Sequence, residues 1–219
     1  EDVKESYFYL DSTPTHSYMK ALYKYPQAEF PYARLADENR RRGKDEPEFE
    51  LADTGVFEGG RYFDVFAEYA KATPNDVLIR ITIANRGPEM ATLHMLPILW
   101  FRNTWSWGCS HEGCEVKPRI ERAADGCLLA QHNSLGPFRL VVASASDGQS
   151  PNFLFTENET NTERLFQSEN TGPFVKDAFH EYVVRGHRNS VNGQGVGTKA
   201  AAHYEWHVPA GGELVATLR

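Results

Sequence analysis

An all-β fold, a large antiparallel sandwich with one or two short helices, is what this sequence predicts, and three observations predict it. Runs rich in β-branched and aromatic residues recur along the whole chain. Clusters of Gly, Pro and Asn separate them at short spacing. The composition, 41% hydrophobic with 13 Phe, 10 Tyr and 4 Trp in 219 residues, is enough to build a substantial core. About ten such runs suit a sandwich, and a closed barrel would satisfy the same pattern. Neither an internal repeat nor a Gly/Ser-rich linker divides the chain, so residues 1–219 read as one domain.

The elements follow in order. Ser6 to Leu10 and Ser17 to Tyr25 are aromatic-rich runs on either side of the loop Asp11 to Thr15. Met19, Leu22 and Tyr23 also have helical spacing, but the Tyr density and Pro26 favour a second strand. Pro31 to Arg42 reads as a helix with Pro in its first turn and Gly43 as its stop. On it, Asp37 and Glu38 stand four residues before Arg41 and Arg42, the favourable order for ion pairs on a solvated face. Tyr62 to Tyr69 is a strand by partial alternation. Asp76 to Ile83 and Ala91 to Trp100 read as a hairpin joined by the turn Asn85 to Pro88. Gly126 to His132, Phe138 to Ser144 and Phe153 to Thr156 are further short strands. Asp177 to Val184 carries both signals, an Asp before an apolar run and a β-branched end, and is assigned as a helix. Lys199 to Val208 and Glu213 to Leu218 flank Pro209 to Gly212 as a second hairpin.

A formal charge of -7 supplies no positive field for a phosphate backbone, so nucleic acid is not an expected partner. The longest apolar stretches, such as Leu96 to Phe101, are far short of the ~20 residues that span a bilayer, which excludes a membrane role by helices. Three cysteines are too few, and of the wrong parity, for a secreted disulfide framework, so a cytoplasmic location is expected. The opening Glu1-Asp2-Val3-Lys4 lacks an initiator Met and a signal-like pattern, as in an excised piece. No cofactor is expected.

Several segments carry a resemblance. Glu1 to Lys20, Leu99-Trp100-Phe101-Arg102-Asn103-Thr104-Trp105-Ser106-Trp107-Gly108, Phe155 to Asn161, Lys176 to His180 and Gly197 to Tyr204 are spread from end to end, and they resemble bacterial members of glycoside hydrolase family 63. That family includes processing α-glucosidases that act on mannosyl oligosaccharides. The resemblance implies an N-terminal β-supersandwich that precedes an (α/α)6 barrel holding the catalytic acid and base. The chain contains no succession of paired amphipathic helices that could form such a barrel. The domain alone is therefore expected to be inactive, with its own barrel as partner and the parent's oligosaccharide as substrate.

Three constellations could carry chemistry. The loop of Glu157, Asn158, Glu159, Asn161, Glu163 and Arg164 holds acids, amides and an arginine, the groups that bind sugar hydroxyls or a facing domain. An inverting glycosidase needs two carboxyl groups roughly 6.5 to 9.5 Å apart, but a polar surface loop or a cleft rim describes this segment better than catalysis. Trp100, Trp105 and Trp107 offer flat faces, with Arg102 and Asn103 as polar handles. Trp100 ends a strand and reads as core, whereas Trp105 and Trp107 share a side of any extended segment and read as packing on the barrel ahead of sugar stacking. With Lys199 from the Gly197 motif, these residues form the expected interface or sugar-contact set. Cys109, His111 and Cys114 could seed a zinc site closed by Cys127 or His132, but their spacing matches no standard pattern and reads as a surface loop. The rival reading is a self-sufficient module that binds or epimerises sugars with these Trp and Glu groups; His180 and Glu181 could also be read as base and acid of a mutarotase, but their adjacency puts them on different faces.

Overall fold

The computed structural model describes residues 5–106, 108 and 116–219. Strands β1 (Ser6–Ser12), β2 (Tyr18–Pro26), β3 (Tyr62–Thr73), β4 (Asp76–Asn85), β5 (Ala91–Met95) and β6 (Ile98–Trp100) precede β7 (Arg119–Arg122), β8 (Leu128–His132), β9 (Gly136–Leu140) and β10 (Asn152–Thr156). Strands β11 (Val196–Gly197), β12 (Lys199–Val208) and β13 (Glu213–Leu218) follow. Helix α1 (Tyr32–Arg41) follows β2, and α2 (Thr162–Phe166) and α3 (Ala178–Val184) stand between β10 and β11. The described residues are thus mainly β, with short helices, as the sequence predicts. They form two compact units: one runs to Leu93 and adds Ser144–Gly148 and Trp206–Leu218, while the other holds His94–Ala143, Gln149–Glu205 and Arg219.

The first unit is built on one antiparallel sheet in the order β1-β2-β3-β4-β13. Alternation puts Tyr7, Tyr23, Val65, Ile83 and Leu214 in register on one face, and there the Tyr7 and Tyr23 rings stack with centroids 4.4 Å apart. The opposite face carries ions: Asp64 accepts from Lys24 Nζ at 2.8 Å and from Arg86 Nε at 2.7 Å. Thr13 organises the predicted loop after β1, its Oγ1 accepting from the amides of Ser17 and Tyr18 at 3.0 and 3.2 Å. Helix α1 contributes Leu35 to a small core with Phe49 and Leu51. Its ion pairs are Asp37–Arg40 and Glu38–Arg41, both at 2.7 Å and three residues apart rather than the expected four, because the Arg42 guanidinium turns instead to the Pro47 carbonyl.

Both predicted hairpins fail, for related reasons. Strand β4 has β3 on one side, across the two-residue connection Pro74-Asn75, and β13 on the other, so no edge is left for Ala91 to Trp100. The turn at Asn85 leads the chain out of the sheet. Asn85 is fully buried, its Nδ2 donating to the carbonyls of Glu89 (2.8 Å) and Val208 (2.9 Å) while its Oδ1 accepts from Gln27 and Gly87. The turn at Pro209 to Gly212 does form, closed by Gly212 N donating to Pro209 O at 2.9 Å, but it joins strands of different sheets.

The second unit is an antiparallel sandwich. One sheet pairs β12 with β10 and with β6, and the other runs β11-β7-β8-β9. Ile120, Leu128 and Ala130 of one sheet meet Phe155 and Ala200 of the other in a single apolar cluster. On the outer face of the first sheet, Phe179 of α3 packs on Leu154 and Ala201. That placement confirms the helix assigned to Asp177 to Val184. The predicted strand Phe138 to Ser144 is displaced toward Gly136, ending at Leu140. Trp100 is a clear correction: paired with Lys199 at the sheet edge, it is 54% exposed rather than core.

Candidate functional site

The motif residues of the second unit converge around one glycine. Gly197 passes so close to β10 that a Cβ there would overlap the Thr156 carbonyl. This approach lets Thr198 N donate to Thr156 O at 3.1 Å and brings the buried Thr198 hydroxyl beside the residues that follow β10. The Thr198 Oγ1 donates to Glu157 Oε2 at 2.7 Å and accepts from Asn158 N at 2.8 Å. Asn158 Nδ2 in turn donates to the Phe101 carbonyl at 2.8 Å, fixing the start of the tryptophan segment.

Glu159 continues the network. It is 8% exposed, and its Oε1 accepts from Trp105 Nε1 and from Lys117 Nζ, both at 2.9 Å. Lys117 also reaches Glu157 Oε2 at 3.2 Å. Burial alone would raise the Glu159 pKa, but the Lys117 and Trp105 hydrogen bonds outweigh it and hold the carboxyl below its ordinary value. The same exchange works in reverse on Lys117, where burial lowers the pKa and the two carboxylates more than restore it. Both ends of the bridge are therefore ionised. One ammonium therefore stands between the two carboxylates, in the place where an inverting pair holds its water.

A second cluster lies along the chain from the first. Asn161 caps α2 by accepting from Arg164 N at 3.1 Å, and its Nδ2 donates to both Asp177 oxygens at 3.2 Å. Arg164 Nη1 adds a donation to Asp177 at 3.0 Å. Burial opposes ionisation of Asp177, but the Arg164 and Asn161 contacts prevail and lower its pKa. Backbone at Lys176 joins the clusters: its N–H donates to Glu159 O at 2.8 Å and its carbonyl accepts from Lys199 Nζ at 2.6 Å. The Lys199 ammonium also sits 5.2 Å from the Phe179 ring centre, and burial, with nearby Lys176, lowers its pKa.

Of the expected set, Trp105, Glu157, Asn158 and Glu159 form one network, and Asn161, Arg164 and Lys199 join it through Lys176 and Asp177. Asn103 serves its own turn, accepting from Ser106 N and Oγ at 3.2 and 2.6 Å. Arg102 and Glu163 are exposed. Trp107, Cys109, His111 and Cys114 lie outside the described residues. Among the described residues no group of three metal-binding side chains occurs; Cys127 is a buried free thiol, and His132 contacts Ser134 and the Phe101 ring. His180 is exposed, while Glu181 is engaged by Arg185 and His187. Sequence reasoning missed Lys117, Thr198 and Asp177. The last two lie within the motifs already quoted, but nothing in the sequence marks Lys117.

No protein-family model matches the chain, and no solved structure matches it. It is similar to the uncharacterized protein YMR196W of Saccharomyces cerevisiae, with 41% identity over 241 aligned positions. The match covers 96% of this chain and 22% of the yeast protein, so the chain spans about a fifth of that relative's length. No helix among the described residues is long and apolar enough to cross a membrane.

Proposed function

We propose that this chain is an accessory β-supersandwich of a family 63-like glycoside hydrolase, packing on an (α/α)6 catalytic barrel and lending its tryptophan segment and Glu157–Arg164 loop to the rim of the active site. The parent would be a cytoplasmic inverting α-glucosidase acting on oligosaccharides. One observation carries the reading. Glu157 and Glu159, the carboxylates of the motif loop, are committed to Lys117, Trp105 and Thr198, while Trp100, paired with Lys199, stays exposed on the sheet edge. Carboxylates engaged by an ammonium, an indole N–H and a hydroxyl suit the holding of a loop, and an exposed aromatic at the sheet edge suits a facing domain. The similarity to one end-to-end stretch of a much longer yeast protein is compatible with a domain role.

The test is expression of this domain together with its barrel as a separate polypeptide, with Trp105→Ala and Trp107→Ala in the domain, read by co-elution of the two and by hydrolysis of α-linked glucosides. Lost assembly or a large fall in turnover is expected. Unchanged assembly and activity would overturn the interface reading.

A further inference from the structure

On the outer face of the β11-β7-β8-β9 sheet, a cleft of about 530 Å³ opens between the approach to β7 and the β8–β9 turn, within the size range of small-ligand sites. Its floor is in register: Arg119 pairs with Gln131, and Gln131 with Pro137, across three adjacent strands. Lys117, His132 and Asn133 complete the walls. We infer that this cleft binds a neutral saccharide, at a site that adjoins the rim proposed above through Lys117, and the choice of ligand rests on the same carbohydrate reading.

The chemistry of the walls selects the ligand. Both cations are already neutralised: Lys117 by Glu157 and Glu159, and Arg119 by Glu121, with nitrogens at 2.8 and 2.9 Å from one carboxylate oxygen. A phosphate or carboxylate would meet compensated charge, so the cleft lacks the field an anion requires. What remains is hydrogen-bonding capacity. The exposed side-chain amides of Gln131 and Asn133 make no hydrogen bond to another described residue, and each offers donor and acceptor at once. His132 Nδ1 accepts from Ser134 N at 3.2 Å, which leaves Nε2 as a third donor. Val116 and Pro137 supply apolar surface for the C–H face of a pyranose ring. Paired amides, a fixed imidazole donor and a small apolar ledge match vicinal hydroxyls rather than a charge.

Saturation-transfer NMR and calorimetric titration of this chain with maltose, and with inorganic phosphate as the anionic probe, test the inference. Maltose should bind with Kd on the order of 1 mM, and Gln131→Ala with Asn133→Ala should weaken it at least about tenfold. Both positions are exposed, so the variants should keep the parent's circular dichroism spectrum. Absence of saturation transfer from maltose, binding indifferent to the two substitutions, or preferential phosphate binding would each overturn the site. Maltose binding by this chain alongside a hydrolytically inert long protein would remove only the parent activity. The converse would remove only the cleft.

Discussion

The two units solve the same problem, an antiparallel sheet, with opposite kinds of connection. In the first, β1, β2 and β3 are each paired with the next strand in the chain, over registers that reach from Phe63↔Asn85 to Thr73↔Asp76 between β3 and β4. In the second, β12 takes β10 and β6 as neighbours, segments tens of residues away in sequence. Local pairing leaves the first sheet dependent mainly on alternation. Distant pairing makes the second dependent on a few close approaches and ion contacts, which is where the candidate site was found.

The sharpest way to break this contrast is at Gly197. Gly197→Ala should cost about 3 kcal/mol, since the new methyl group must displace β10 backbone. Amide exchange should rise in β10 and β12 while β2 and β3 stay protected; equal loss in both units would show that they unfold as one. Next comes Lys117→Met, which leaves Glu157 and Glu159 facing each other without their counter-ion. About 1 to 2 kcal/mol is expected in a urea melt, less than for a fully buried pair because the lysine side chain is 45% exposed. Trp105 fluorescence should shift in the same variant.

Acid should separate the units in turn. His203 Nε2 and His94 Nδ1 are 2.9 Å apart, and burial, then His94 and Arg188, depresses the His203 pKa against a weaker upward pull from Glu205. The unfolded chain therefore takes up the proton first, so the stability from neutral His203 is whole above its ordinary value of 6.5 and is lost as pH falls below it. In the first unit, burial of Asp64 is outweighed by Lys24 and Arg86, and its depressed pKa contributes stability that begins to fall only below the ordinary aspartate value of 3.8. Thermal melts between pH 6.5 and the ordinary glutamate value of 4.5, above which the first unit's Glu68 also keeps its contribution, should show the second unit weakening alone, and His203→Phe should flatten that dependence. A second unit as acid-resistant as the first would refute it. The smallest effect is at α1: Asp37→Ala removes one exposed pair and should change stability by less than about 0.5 kcal/mol, measured by urea titration.

Much of the first unit was legible because alternation and turn chemistry act over a few residues: Tyr7 and Tyr23, the Thr13 loop and the Pro31 helix start all speak locally. The errors came where a turn signal was taken to imply pairing. Asn85 to Pro88 and Pro209 to Gly212 are genuine turns, but a turn fixes direction, and only the competition for the edges of β4 decides which strand docks there. Trp100 reads as core by hydrophobicity, yet a strand at a sheet edge leaves one side uncovered.

By itself, then, the sequence determined the β class, most strands, α1 and α3, and the motif residues from which the site is drawn, since propensity and periodicity are properties of neighbours in the chain. Tertiary structure alone decided that Lys117 clasps Glu157 and Glu159, that Thr198 and Asp177 complete the clusters, and that Gln131 and Asn133 face a cleft. Those relations join residues up to tens of positions apart. Their energies come from burial and Coulomb contact, which no local pattern encodes.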